Sequence, residues 1–92
     1  MSVLLDTNIL LRMSNKLHPM HVASRESVTV LEADGMDLTK TAHDARLVAA
    51  MERHRISFIL TFNTSDFARY PNIQSLTPND VVNGARFPAI LP

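Results

Sequence analysis

The 92-residue sequence contains no cysteine. This absence excludes disulfide scaffolds, catalysis by a thiolate, and zinc sites built on cysteine. The sequence also has no excess of charge of either sign, because nine Lys and Arg residues balance nine Asp and Glu residues. Proteins that bind nucleic acid constitutively are usually strongly basic, so any contact with nucleic acid must be local in this chain.

Long hydrophobic runs are missing as well. The longest apolar stretches, such as Val3 to Leu5 and Ile9 to Leu11, are far shorter than the roughly 20 residues that span a bilayer, and no basic signal segment precedes them. We therefore expect a cytoplasmic protein with no membrane contact. The length and the hydrophobic content of 46% suit one compact domain over residues 1–83, followed by a tail or arm over residues 84–92.

Short apolar runs alternate with helical segments along the chain. The predicted elements in chain order are a strand at Ser2 to Leu5, a helix at Asn8 to Met13 with Thr7 as its N-cap, a helix at Met20 to Asp34 ended by Gly35, a very short strand at Met36 to Leu38, a helix from Thr41 to about Arg55, a strand at Ile56 to Thr61, a helical turn at Asp66 to Tyr70, a strand at Ile73 to Leu76, and a last helical turn with Pro78 at its first position. This alternation predicts an α/β fold, a parallel sheet with flanking helices.

Polar residues gather at one edge of the predicted sheet. In parallel sheets every strand ends at the same edge, where open α/β folds bind their ligands. Asp6 ends the first strand, Asp44 lies in the first turn of the third helix, and Asn63 and Asp66 follow the Ile56 to Thr61 strand. We expect all four residues to face one crevice.

Each of these residues also has a purely structural explanation. An Asp-Thr-Asn sequence after a strand is common in turns and helix caps, which would account for Asp6. Thr41 and Asp44 have the spacing of a capping box, although Asp44 also begins the buried stripe that continues at Leu47. Residues 63–66 suit a turn with capping side chains. The residues alone leave both explanations open.

Three blocks of the sequence together resemble the PIN domain of VapC-type toxin ribonucleases. They are LLDTNIL from Leu4 to Leu10, HDARLVAA from His43 to Ala50, and ILTFNTSDFAR from Ile59 to Arg69. Residues 73–82 are similar to the family's closing strand and helix, so the resemblance covers residue 2 to about residue 82. It implies a PIN-like, Rossmann-like sheet in a shortened form.

The resemblance also implies an activity, the metal-dependent hydrolysis of RNA phosphodiester bonds by the toxin of a toxin–antitoxin pair. Asp6 and Asp44 would bind Mg²⁺ or Mn²⁺, and Asp66 or Asn63 would complete the catalytic and metal-binding set. Such cations prefer oxygen ligands and activate an attacking water. The residues implied in supporting roles are Thr7, Asn8 and Thr61, which would orient the ligands, and Arg46 and Arg69, which are candidate phosphate contacts.

The sequence departs from the family in one large respect. Family members carry a further strand and helices before the His-Asp-Ala helix, and this segment supplies an acidic residue, typically a glutamate. Here Met36 to Lys40 runs almost directly into Thr41. The acidic cluster is therefore incomplete, and whether the chain cuts RNA is an open question.

The missing segment also bears on partners. Its loss removes helical cover from the sheet, so we predict a homodimer or an exchange of elements between chains. One alternative to a nuclease is a catalytically impaired PIN remnant that binds an antitoxin-like peptide or its own copy. Another is a receiver-type phosphoacceptor, which fits less well because no paired acids follow the first strand and no lysine is clearly placed.

Overall fold

The structure, a computed structural model, describes residues 1–40 and 47–87. Strands and helices alternate along the chain. The elements in order are β1 (Ser2–Leu5), α1 (Thr7–Ser14), α2 (His21–Ala33), β2 (Asp37–Lys40), α3 (Leu47–Arg53), β3 (Phe58–Leu60), a single 3-10 turn (Thr64–Asp66), β4 (Gln74–Leu76) and α4 (Pro78–Val82).

The four strands form one sheet in the order β2-β1-β3-β4, and every neighbouring pair is parallel. In this register Val3 lies opposite Leu38 on one side and Phe58 on the other. β1 is an inner strand, which explains its uninterrupted apolar sequence, since a parallel strand covered on both faces needs apolar side chains on both. The predicted α/β class and the parallel sheet are confirmed.

Alternate residues of β1 point to opposite faces of the sheet. Val3 and Leu5 belong to the larger core cluster, which also contains Ile9 from α1, Leu31 from α2 and Val81 from α4. Helices α1, α2 and α4 therefore cover one face.

The opposite face is smaller. Leu4 and Ile59 pack there with Met51 from α3 and with Phe67, which follows the 3-10 turn. The sheet is thus the middle of three layers, and the residues that end its strands are held from both sides.

The buried stripe of α2 differs in part from the prediction. Its buried residues are Ser24, Ser27, Val28 and Leu31. Ala23 and Val30, which were predicted to lie on this stripe, are only half-buried. Small serines take two inner positions, and the Ser27 hydroxyl satisfies its hydrogen bond by donating to the Ser24 carbonyl at 2.8 Å.

Helix ends match the sequence signals in two places. Gly35 follows α2 with a φ of +83°, the left-handed conformation that glycine adopts without strain. Pro78 begins α4, and Thr77 caps it with a full capping box, in which the Thr77 and Asp80 side chains each accept a hydrogen bond from the other residue's backbone N–H. The predicted start of the third helix, with Thr41 as its cap and Asp44 in its first turn, lies outside the described residues.

The segment after Gly84 is less detached than predicted. Phe87 is 7% exposed and belongs to the larger core cluster, where its ring stacks on Phe58 with centroids 5.2 Å apart. Arg86 forms an ion pair with Asp34 at 2.7 Å. The predicted arm therefore contributes a core residue, Phe87. The Gly and Pro residues near it led to the prediction of an arm, but burial of a large aromatic ring is strongly favourable.

No helix in the described part of the chain is long and apolar enough to cross a lipid bilayer.

Candidate functional site

The carboxyl ends of β1 and β3 meet at one point of the sheet edge. Leu5 lies opposite Leu60 in the parallel register, so the next residues, Asp6 and Thr61, are neighbours. The Asp6 backbone N–H donates to the Leu60 carbonyl at 3.0 Å, which fixes the backbone at the strand end. This is the edge at which the sequence predicted a site.

The Asp6 carboxylate is held by a short hydrogen-bond chain. The Thr61 hydroxyl donates to Oδ2 of Asp6 at 2.7 Å, and the same hydroxyl oxygen accepts from the Asn63 backbone N–H at 3.1 Å. Thr61 is fully buried, so water does not compete for its hydroxyl. Because a hydroxyl that accepts one hydrogen bond donates a second more strongly, the chain orients the carboxylate firmly.

The structural explanation for Asp6 was that its side chain caps the following helix. Asp6 does occupy the N-cap position of α1, but its side chain makes no capping hydrogen bond. Its backbone carbonyl accepts from Ile9 instead, at 2.9 Å. Thr7 is the first residue of the helix rather than its N-cap, so that prediction is wrong by one residue. The Asp6 side chain points to the Thr61 hydroxyl because the buried hydroxyl is the better-desolvated donor.

Two of the predicted site residues lie outside the described residues. These are Asp44, the second predicted metal ligand, and Arg46, a predicted phosphate contact. Among the described residues no three His, Cys, Asp or Glu side chains come together. The donors that are described, a carboxylate and an amide from Asn63, are the hard oxygen ligands that Mg²⁺ and Mn²⁺ prefer.

Asn63 and Asp66 lie beyond the end of β3, as predicted, and both are exposed. Asn63 is tied to Asp6 through its backbone and Thr61. Asp66 closes the 3-10 turn, where its backbone N–H donates to the Asn63 carbonyl at 3.0 Å, and its side chain makes no hydrogen bond or ion pair with another described residue. Of the two residues, Asn63 is the one that hydrogen bonds connect to Asp6, through the Thr61 hydroxyl.

The Arg69 side chain contacts the ring of the next residue, Tyr70. Its guanidinium carbon lies 5.2 Å from the centroid of the Tyr70 ring, a cation–π distance. Arg69 is exposed, and a contact of this kind is common for an arginine on a protein surface.

A cavity of about 270 Å³ is lined by Asn63, the residue whose backbone N–H donates to the Thr61 hydroxyl. It opens between α1, the loop before α2, and the segment that follows β3. Its lining residues are Asn8, Arg12, His18, Met20, Phe62 and Asn63. Among the described residues the lining contains an arginine and a histidine and no acidic residue, so the cavity suits an anionic or hydrogen-bonding ligand.

Sequence reasoning found Asn8 and Asn63 but missed the other lining residues. One signal was available, because Asn8 and Arg12 are four residues apart and so share a face of α1. Nothing local indicated His18 or Met20, since they reach the cavity through the fold of the loop between α1 and α2.

A second, larger groove of about 680 Å³ lies on the other side of α1. Leu10 and Met13 of α1, Val28 of α2, and Met36 and Leu38 at β2 form its apolar lining. Within the described residues β2 pairs only with β1, and Asp37 and Leu38 of this edge strand line the groove.

Comparison with protein-family models, with curated proteins and with solved structures finds no match for this chain.

Proposed function

We propose that the chain is a shortened PIN-like domain that binds Mg²⁺ or Mn²⁺ and hydrolyses RNA phosphodiester bonds. The observation that carries the proposal is the Asp6 carboxylate at the end of an inner parallel strand, where it accepts a 2.7 Å hydrogen bond from the buried Thr61 hydroxyl and does not cap its helix. A metal-binding carboxylate commonly needs such a partner, because orientation of the ligand fixes the position of the ion.

The residues divide the work as follows. Asp6 holds the cation, with Asp44 as the second carboxylate and Asn63 or Asp66 as further oxygen ligands. Thr61 keeps the Asp6 oxygens in place, and Asn63 in turn fixes the Thr61 hydroxyl through its backbone N–H. A divalent cation bound there supplies positive charge for the phosphate oxygens and favours ionisation of an attacking water.

Charge around Asp6 is consistent with this role. Among the described residues no Lys or Arg forms an ion pair with Asp6. A partly buried carboxylate without a cationic partner gains stability when a cation binds.

The test is a titration of the purified chain with Mg²⁺ and Mn²⁺ by calorimetry, followed by cleavage of single-stranded RNA. We expect Asp6→Asn and Asp44→Asn to lose both binding and cleavage. Arg53→Gln, at the far end of α3, is the control and keeps both. Cleavage that persists unchanged in Asp6→Asn would overturn the proposal.

We propose self-association as a second candidate function, because a specific surface favours it. The groove has apolar walls at Leu10, Met13 and Leu38, with polar lining at Ser14, Glu32 and Asp37, so residues of β2 take part in it. β2 is an edge strand among the described residues, and a strand edge carries unpaired N–H and C=O groups that pair with another strand. The occupant that we propose is a second copy of the chain, since two β2 edges related by a twofold axis complement each other. Sedimentation at micromolar concentration should give a dimer, and a monomer would refute this candidate.

A further inference from the structure

We infer that the 270 Å³ cavity lined by Asn63 binds one nucleotide of single-stranded RNA, with Arg12 contacting its phosphate and Phe62 stacking on its base. The inference rests on the proposed function for the identity of the ligand as RNA. It adds a binding site that is lined by none of the described acidic residues.

The cavity is connected to the candidate metal ligand Asp6 by hydrogen bonds through Asn63 and Thr61. Asn63 lines the cavity, and its backbone N–H donates to Thr61, whose hydroxyl donates to Asp6. Two hydrogen bonds of 3.1 and 2.7 Å thus connect the cavity wall to the carboxylate. A nucleotide in the cavity would therefore lie beside the phosphodiester bond that reaches Asp6.

Arg12 is the phosphate contact because its charge is permanent and is not neutralised within the described residues. Its guanidinium forms no ion pair with any described carboxylate. Its backbone is well fixed, since the ring Nδ1 of His21 donates to the Arg12 carbonyl at 2.9 Å and so ties α1 to the start of α2. A planar guanidinium on a fixed helix matches two phosphate oxygens at once.

His18 supplies a second donor of defined tautomer. Its Nδ1 accepts from the Met20 backbone N–H at 3.0 Å, and an amide can only donate. The neutral ring therefore carries its proton on Nε2, which is the nitrogen left for a ligand. Because Met20 also lines the cavity, this hydrogen bond shapes the wall as well.

The remaining lining suits a base rather than a second phosphate. Phe62 is half-buried, so part of its ring is accessible, and base stacking on an aromatic ring is largely independent of sequence. Asn8 and Asn63 carry amides that can donate to and accept from a base edge. A paired base is not available for such stacking, so the site selects single strands. The volume lies just below the roughly 300 Å³ at which pockets for drug-sized ligands begin, which limits the occupant to about one nucleotide.

The experiment measures RNA binding without cleavage. A short fluorescein-labelled single-stranded RNA of mixed sequence is titrated with the full chain in EDTA, and its anisotropy is followed. We expect Arg12→Gln to weaken binding about tenfold and Phe62→Leu, which keeps an apolar side chain, to weaken it about fivefold. Arg53→Gln removes the same charge outside the cavity and should change binding less than twofold. Unlabelled duplex RNA should compete poorly.

The outcomes separate this inference from the nuclease proposal. Asp6→Asn should lose cleavage and keep its binding in EDTA. If RNA binding depends on Arg12 but the chain never cleaves RNA with Mg²⁺ or Mn²⁺, the nuclease proposal is refuted and the nucleotide-binding site is supported. If the chain cleaves RNA but Arg12→Gln and Arg53→Gln bind RNA equally well in EDTA, the nucleotide-binding site is refuted and the nuclease proposal is supported. Thermal unfolding by circular dichroism verifies that each variant is folded, and Arg12→Lys gives a second variant that keeps charge but loses the planar contact.

Discussion

The hydroxyl of Thr61 donates a 2.7 Å hydrogen bond to the carboxylate of Asp6, a residue 55 positions earlier in the sequence. The two residues meet because each directly follows an inner strand of a parallel sheet, and these strands are in register at Leu5 and Leu60. The parallel register brings the two residues together, and the hydroxyl and the carboxylate then form the hydrogen bond. It orients a charged oxygen by means of a neutral donor, which leaves the carboxylate its full negative charge.

The role of the Thr61 hydroxyl can be tested by two matched substitutions. Thr61→Val keeps the shape of the side chain and removes the hydroxyl, so we expect affinity for Mg²⁺ or Mn²⁺ to fall 10- to 100-fold, the usual effect of losing a residue that orients a ligand. Thr61→Ser keeps the hydroxyl and should stay within about threefold of the unmodified chain. Calorimetric titration measures both. Equal affinities in the Val and Ser variants would show that the hydroxyl does not position Asp6 for a metal.

Thr61→Val should also reduce stability, because the Asn63 backbone N–H loses its acceptor. A buried donor without a partner costs about 1–3 kcal/mol, and Asn63 is exposed, so the lower end of that range applies. Urea denaturation followed by circular dichroism gives the free energy of unfolding. A loss well above about 3 kcal/mol would indicate a packing defect, and the metal affinity of this variant would then report on folding.

Asp6→Asn should leave the fold intact while it removes the negative charge. The Asp6 side chain makes no capping hydrogen bond, and asparagine is as good an N-cap residue as aspartate. We therefore expect the free energy of unfolding without metal to change by less than about 1 kcal/mol. A much larger loss of stability would mean that the carboxylate serves the fold, contrary to its proposed role in binding.

The position of the site, though not all of its members, could be predicted from the sequence. The apolar runs that stop at Asp6 and Thr61 are local signals of strand ends. Because parallel strands end at one edge of a sheet, these two signals predict that Asp6 and Thr61 lie close together. The same reasoning could not tell whether the Asp6 side chain caps the following helix or accepts a hydrogen bond from a distant residue. That distinction depends on whether a buried donor lies nearby, and the donor is 55 residues away.

The cavity lined by Asn63 was beyond local reasoning for a different reason. Arg12 belongs to a helix, but His18 and Met20 come from an irregular loop, and Phe62 comes from the segment that follows β3. No periodic pattern links a loop residue to a strand end. Phe87 is a similar case, since its burial depends on stacking against Phe58 and leaves no mark in the residues around it.

Phe87 should contribute strongly to stability, although it lies in the segment that was predicted to be an arm. Its ring is 7% exposed and stacks on Phe58, so Phe87→Ala should lower the free energy of unfolding by about 3 kcal/mol. Phe87→Leu should cost about 1 kcal/mol, since it loses chiefly the ring contact. Val82→Ala, at a side chain that is 41% exposed on α4, is the control and should change stability by less than about 0.5 kcal/mol. If Phe87→Ala resembled Val82→Ala in urea denaturation, the segment would not be part of the core.

Leu38 should decide whether the chain associates with its own copy. It lies opposite Val3 in the sheet and lines the groove in which residues of β2 take part. In an antiparallel pair of β2 strands about a twofold axis at this residue, the two Leu38 side chains lie directly opposite each other on the same face. Their contact would extend the sheet from four strands to eight and cover both grooves.

The substitution Leu38→Lys places two like charges across that axis, so we expect the dimer to dissociate to monomers in sedimentation velocity at micromolar concentration. Leu17→Lys introduces the same charge at a side chain that is 94% exposed and outside the groove, and it should leave the dimer intact. A dimer that survives Leu38→Lys would place the interface on another surface. Since the candidate metal ligand Asp6 follows β1 and does not line the groove, Leu38→Lys should also retain metal binding. This variant therefore separates self-association from metal binding at the strand ends.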